Sequence, residues 1–487
     1  MEEHKEKYKH KPNTVEQLRD KRRLHEVDIR KEKRDKVVTS KRIRTSLSEP
    51  DFEYEEEQNH EKVKEAAQAL VKKEGNCHDI LVTTRRGFAQ GSALIDTFLS
   101  VDNSMASLVG LLTGSDTDHQ LQAAWCLTNM SASIHQHAAL VVKQAGPYLV
   151  TYLSSGNKPL QDQCAWAIGN LAGDSDECRE LLLAQGVMQP LVDLLTCDMP
   201  NVVQSAAFAL SNLARGGPKY TSDMLERGCL THILSQLTAE NATNEEGLVS
   251  ELCWILTYLA TRPEHHEILV KMETTQRLSA LIVHLAAEQP ESFALLTPAL
   301  RALGNLSSTG GAVADILSKD EHILPALEHL LDSQHRHIKK ETLWVISNIT
   351  AGNEVICKAV LDKHEEKELM TKIIQQLSGA YDIKKEALFC VCNLCGQGQV
   401  FCEAFLELGC LEKIVPMLQS NDMESSHLAL TFTDLLFKAC GDKAVKMFEE
   451  ARGLTGLEYL EYHNNDTLRS EANQLLDTYF YKGDKSP

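Results

Sequence analysis

A chain of 487 residues with 43 % hydrophobic and 24 % charged residues can bury a large core, and its length points to several domains or a repeat array. Aromatics at only 6 % favour helix over sheet, no run of 18 apolar residues offers a membrane span, and no basic start followed by an apolar run marks a secretory signal. The net charge of −19 argues against a nucleic-acid binder, and the 14 scattered cysteines read as reduced thiols, not as a disulfide framework.

The charge is unevenly placed. Residues 1–45 hold 16 Lys/Arg against 9 Asp/Glu, a net of +7, so the remainder carries −26. A basic arm on an acidic body predicts two partners of opposite sign, or an arm that folds back on the body. Within the arm, NTVEQLRDKRRLHEVDIRKEKRDKVVTSKRIR (13–44) has helix propensity but little that could form a core. Such a segment is expected to order only against a partner. Residues 46–57, with EPDFEYEEE at 49–57, read as an acidic linker.

From residue 58 onward the chain repeats itself. AWCLTNMSA (124–132), AWAIGNLAG (165–173), AFALSNLAR (207–215), CWILTYLAT (253–261), LRALGNLSS (300–308), LWVISNITA (343–351) and LFCVCNLCG (388–396) align on one another. Successive spacings of 41, 42, 46, 47, 43 and 45 residues are those of two- or three-helix superhelical repeats. In each unit an apolar helix such as GVMQPLVDLL (186–195) precedes a polar break and then the motif helix, with glycines such as Gly216-Gly217-Pro218 at the ends. The stretches 58–115 and 400–480 look helical without the motif, as capping repeats do. The expectation is an all-α, right-handed superhelical solenoid of about ten repeats over 58–487.

On each motif helix a ring and an amide stand four residues apart, hence on one face. Stacked repeats would align them into a ladder along the inner groove. Asparagine offers a donor and an acceptor and can hold the backbone of an extended peptide whatever its sequence. The rings form slots for the stems and charges of Lys or Arg. Acidic residues are at hand: Asp174 follows Asn170 by four, and Glu251, Glu341 and Glu386 each precede a ring position by three. The implied ligand is an extended Lys/Arg-rich peptide. The competing reading, rings and amides as ordinary core residues, would bury six amides that each need a partner. Cys390, Cys392 and Cys395 do not make a zinc site, since 390 and 392 face different sides of a helix. His335 and His337, in QHRHIKK, read as a solvated loop. No P-loop, zincin or nucleophile-elbow motif is present, no cofactor is implied, and the chain is not expected to be an enzyme.

The succession WCLTN, WAIGN, FALSN, CWILTY, LRALGN, WVISNITAG and FCVCN resembles that of importin α, the armadillo-repeat adaptor that carries nuclear localisation signals. The match follows the order of individual repeats over nearly the whole chain. The resemblance implies a major cargo groove of Trp125, Asn129, Trp166, Asn170, Asp174, Phe208 and Asn212, extended by Trp254 and Tyr258, with Asp174 pairing the key lysine. It implies a minor groove of Arg301, Asn305, Glu341, Trp344, Asn348, Glu386, Phe389 and Asn393. Residues 1–45 look like an importin-β-binding arm, with Arg19, Lys21, Arg22, Arg23, Arg30, Lys31, Lys33, Arg34, Lys41 and Arg42 as its cations, that binds importin β as a helix and otherwise folds over the groove. The implied partners are basic signal-bearing cargo, importin β and the export receptor that recycles importin α; the implied location is cytoplasm and nucleus. Departures stand beside this. Phe208 and Phe389 replace tryptophans, Ala138 replaces a threonine near the key lysine, the early RLxxFKNKG segment of the arm is missing, and Lys41-Arg42-Ile43-Arg44 reads as a broken self-inhibitory cluster. These suggest a diverged member with weaker cargo binding, an altered repertoire or weaker autoinhibition. Stretches such as YLVTYLSS (148–155) are similar to a diverged importin-α-like group whose name includes "transmembrane", a word the sequence does not support. The alternative is a cytosolic armadillo scaffold binding another extended partner, with a vestigial arm.

Overall fold

The computed structural model describes residues 40–44, 58–288, 290, 292–308, 311–351, 356–358, 360 and 368–481. The fold class is an all-α superhelical solenoid, with no strand among the described residues. The chain divides into two compact units, one spanning 31–265 and the other taking in 266–487.

In the first unit the inner helices are α1 (Cys77–Gln90), α2 (Thr117–Ser131), α3 (Lys158–Asp174), α4 (Pro200–Ala214) and α5 (Glu246–Leu259). In the second they are α6 (Phe293–Ser307), α7 (Arg336–Thr350), α8 (Tyr381–Cys395), α9 (Met423–Glu450) and α10 (Asp466–Tyr479). Within each unit successive inner helices pack on one another, and the shorter helices between them, such as Asp176–Ala184 and Met188–Leu194, pack against their backs. The seven motifs fall on α2 to α8, and the motif-free helices α1, α9 and α10 flank them.

Local chemistry starts these helices where they start. Asp116 caps α2 by accepting from the amides of Asp118 and His119, each at 3.0 Å, and Asn157 caps α3 through the Leu160 amide at 3.2 Å. Pro200 opens α4, where its missing N–H is not needed. The end repeats pack rings where the motif is absent: Phe88 meets Phe98 edge-on at 5.1 Å in the first unit, as Phe437 meets Phe448 in the second. Helix α9 is broken at Gly441, whose φ of 56° suits glycine.

Two motif glycines exist for the rung that follows them. A methyl group on Gly169 would run into the Phe208 ring, and one on Gly304 into the Trp344 ring. Gly169→Ala is expected to lower stability by about 1–3 kcal/mol by overpacking a dense site, read as a shift in urea midpoint with unchanged slope. No shift would mean that the rungs do not interlock this tightly.

One sequence expectation is corrected here. QHRHIKK is not a solvated loop: α7 already begins at Arg336, so His337 lies on its first turn and is only partly exposed. Burial holds His337 below histidine's ordinary value. The His335 ring packs against Phe293 with centroids 5.5 Å apart.

Candidate peptide groove

Helices α2, α3 and α4 present their ring-and-amide faces side by side, and residues 40–44 of the chain's own arm lie across them. The arm runs opposite to the helix order, with Ser40 on α4, Arg42 on α3 and Arg44 on α2. Asn212 donates from Nδ2 to the Ser40 carbonyl at 2.8 Å. Asn170 accepts the Arg42 amide at 2.8 Å and donates to the Arg42 carbonyl at 3.0 Å, where Trp166 Nε1 also donates, at 3.0 Å. Asn129 accepts the Arg44 amide at 3.1 Å, and Trp125 Nε1 donates to the Arg44 carbonyl at 2.8 Å. Every second residue is held by its backbone, the period of an extended chain.

The side chains fill the slots. Lys41 Nζ donates to Asp174 Oδ1 at 2.8 Å and to the Ser133 carbonyl. Arg42 pairs with Glu251 at 2.5 Å, its guanidinium carbon 4.5 Å from the Phe208 centroid. Arg44 pairs with Asp162 at 2.6 Å and lies 4.7 Å from the Trp166 centroid. Ile43 points out, 49 % exposed. The apparent break in Lys41-Arg42-Ile43-Arg44 therefore falls on the outward position, and the cluster is not broken in the sense the sequence suggested.

The acids that receive these cations are almost fully buried. Burial raises the Asp174 pKa, but hydrogen bonds and charge from Lys41 and His135 outweigh it and leave the carboxyl below its ordinary value. Protonation of Asp174 itself, which removes the carboxylate from the Lys41 pair, therefore requires the pH to fall through that lowered pKa. Glu251 is steadied by Ser211 Oγ, which donates at 2.5 Å, and Asp162 by Ser205 Oγ at 2.5 Å.

The asparagines prove to serve two ends. Asn129, Asn170 and Asn212 also donate from Nδ2 to carbonyls of the preceding inner helix: Arg85 at 3.1 Å, Thr128 at 3.2 Å and Gly169 at 2.9 Å. In the second unit Asn348 and Asn393 make the same staple to Gly304 at 2.9 Å and Ser347 at 2.7 Å. One side-chain amide has enough donors and acceptors to staple the preceding helix and still meet the backbone of the arm.

Three residues escaped the sequence reading. Asp162 stands four before Trp166, a spacing that puts it on the ring's own face. Arg85 lays its guanidinium 3.7 Å from the Trp125 centroid, so the chain fills the last slot with its own cation. Gly173 has no side chain because the Ser40 carbonyl occupies that space. Trp254 and Tyr258, buried with centroids 6.4 Å apart, form the next rung on α5.

In the second unit Arg301 pairs with Glu341 at 2.9 Å, both almost wholly buried, so one oxygen of Glu341 is engaged within the wall. Trp344 lies over Gly304, and Asn305, Glu386 and Phe389 are buried. Cys390 and Cys392 donate to different carbonyls, of Leu343 and Leu428, consistent with their facing different sides of α8. Of the expected arm cations only Lys41 and Arg42 fall among the described residues; Arg19, Lys21, Arg22, Arg23, Arg30, Lys31, Lys33 and Arg34 lie outside them.

Residues 4–81 match a family model described as the importin beta binding domain, and residues 65–480 match one described as TMCO6. Importin subunit alpha-9 of Arabidopsis thaliana is 33 % identical over 389 residues, covering 75 % of this chain and 72 % of that protein. Importin subunit alpha-2 of Oryza sativa subsp. japonica is 29 % identical over 403 residues, covering 80 % and 75 %. An engineered protein of known crystal structure shares the fold, with a TM-score of 0.75 at 22 % identity over 85 % of this chain and 98 % of its own. The chain belongs to the importin-α-like family, and the family model that spans its repeats is TMCO6.

Proposed function

We propose that this chain is a nuclear-import adaptor that binds Lys/Arg-rich nuclear localisation signals in the groove of α2 to α5 and recruits importin β through its arm. Its family is one of non-enzymatic transport adaptors. The observation that carries the finer reading is the seating of residues 40–44. A Lys-Arg-x-Arg segment is gripped by backbone on alternate residues and by a buried carboxylate at each cation. Any extended peptide of that pattern offers the same groups, so the arm segment stands in for cargo. In this reading residues 1–45 are the arm, 46–57 a linker and 58–487 the solenoid. The wall from Arg301 to Asn393 is a second, minor groove, and the chain works between cytoplasm and nucleus, returned by an export receptor.

The arm's share is tested by pull-down. The intact chain is expected to retain importin β, and Arg22→Glu with Arg23→Glu and Arg30→Glu to lose it, since charge reversal in a basic segment that seeks an acidic partner costs several kcal/mol. Equal retention by both would contradict the assignment and favour a scaffold with a vestigial arm.

A further inference from the structure

The lysine pocket holds a group that the ladder does not account for. His135 begins the helix His135–Gln144, and its Nδ1 lies 2.6 Å from Asp174 Oδ2 while Lys41 holds Asp174 Oδ1 at 2.8 Å. The two carboxylate oxygens are thus divided between a histidine and the ligand's ammonium. A neutral imidazole can face a carboxylate only with the nitrogen that carries hydrogen, so His135 donates from Nδ1 and holds the Asp174 plane toward the incoming lysine. The opposite wall is fixed by a second histidine: His137 contacts Ser133 Oγ through Nδ1 at 3.0 Å and Asp96 through Nε2 at 2.9 Å. Ser133 supplies the lysine's other acceptor, its carbonyl. This arrangement stands beside Ala138, which has no hydroxyl to offer.

The charges around His135 are few and can be named. Facing it are Asp174 on α3, Lys41 on the arm and Glu177 on Asp176–Ala184. Glu177 is itself bridged to Lys143 of His135's own helix at 2.9 Å. Cys178 sits 3.7 Å from Asp174 Oδ2, and His137 is engaged with Asp96. Glu177 is therefore offset, and the Asp174 carboxylate is what His135 and the bound lysine share.

We infer that His135 is a positioning residue of the lysine pocket that makes its grip pH-sensitive: the neutral ring aims Asp174 at the ligand, and the protonated ring competes with the ligand's ammonium for the same carboxylate. The inference rests on the groove being a peptide site. Acidification that protonates the ring weakens lysine binding while Asp174, its pKa lowered, stays ionised. His135 has a side chain 56 % exposed, so its replacement leaves the core intact.

The test uses the full-length chain carrying Lys41→Ala, Arg42→Ala and Arg44→Ala, which leaves the groove open, and a fluorescein-labelled SKRIRT peptide followed by anisotropy. Affinity is expected to fall about five-fold between about pH 7.5 and about pH 6. His135→Asn keeps a donor that cannot titrate; it is expected to hold the affinity at about pH 7.5 within about two-fold and to abolish the pH response. His135→Ala is expected to lose both. A peptide with norleucine in place of the lysine should bind without pH dependence even to the His135 chain. A pH response that survives in His135→Asn, or that the norleucine peptide shares, overturns the inference. Saturable binding that depends on Asp174 but not on pH overturns it alone; absence of all binding at both pH values overturns the groove reading with it.

Discussion

Asp174→Lys is expected to weaken binding of a SKRIRT peptide to the opened groove by about 100-fold or more, with little change in stability. Removing one partner of a desolvated pair costs about 2–5 kcal/mol, and reversal adds repulsion of the ligand's lysine. Asp174 is the last residue of α3, where an anion meets the negative end of the helix dipole and is disfavoured by about 0.3–1 kcal/mol. A lysine there suits the helix, although it leaves His135 and Cys178 without their carboxylate. Anisotropy titration and a thermal melt on the same sample check both halves. Unchanged binding, or loss of fold in place of loss of binding, would contradict the assignment.

The second large effect concerns the arm. With Lys41, Arg42 and Arg44 seated, a peptide in solution must displace a segment tethered nearby, whose effective concentration is on the order of millimolar. If the isolated segment binds with a Kd on the order of ten micromolar, Lys41→Ala with Arg42→Ala and Arg44→Ala should tighten apparent peptide affinity by about 30- to 100-fold. Ile43→Ala should leave it nearly unchanged, because Ile43 faces outward. Equal affinities for the triple variant and the parent would show that the arm does not hold the groove in solution. Arg42 faces the buried Glu251 as well as the Phe208 ring, so a phenylalanine at 208, where the resemblance expects a tryptophan, weakens one contribution among several rather than removing the site.

Much of this was legible because a ladder repeats. Seven copies at a near-constant spacing gave the period, and a ring and an amide four residues apart gave the face, so the inner helices and their order followed from sequence. The major-groove rings and amides that seat residues 40–44 are among those the sequence singled out. What it hid has three physical sources. Asp162 belongs to a single rung, and without a recurrence it looked like any charge near a helix start. Arg85 comes from a helix that lacks the motif, and only stacking reveals that its guanidinium covers Trp125. The alternation of the bound arm decides whether Ile43 interrupts a cluster or merely faces solvent, and that alternation exists only once the asparagines have fixed the backbone. In QHRHIKK polarity suggests a loop throughout, yet the helix begins at Arg336, so His337 already lies within it.

Coupling between arm and groove is the most direct test of the whole account. The labelled SKRIRT peptide is titrated into the unmodified full-length chain with and without saturating importin β. An adaptor whose arm is drawn out of the groove should bind the peptide more tightly when importin β is present, with an apparent Kd approaching that of the Lys41→Ala, Arg42→Ala, Arg44→Ala chain. An affinity unmoved by importin β, with the triple variant binding well, would separate the groove from the arm and contradict the adaptor mechanism.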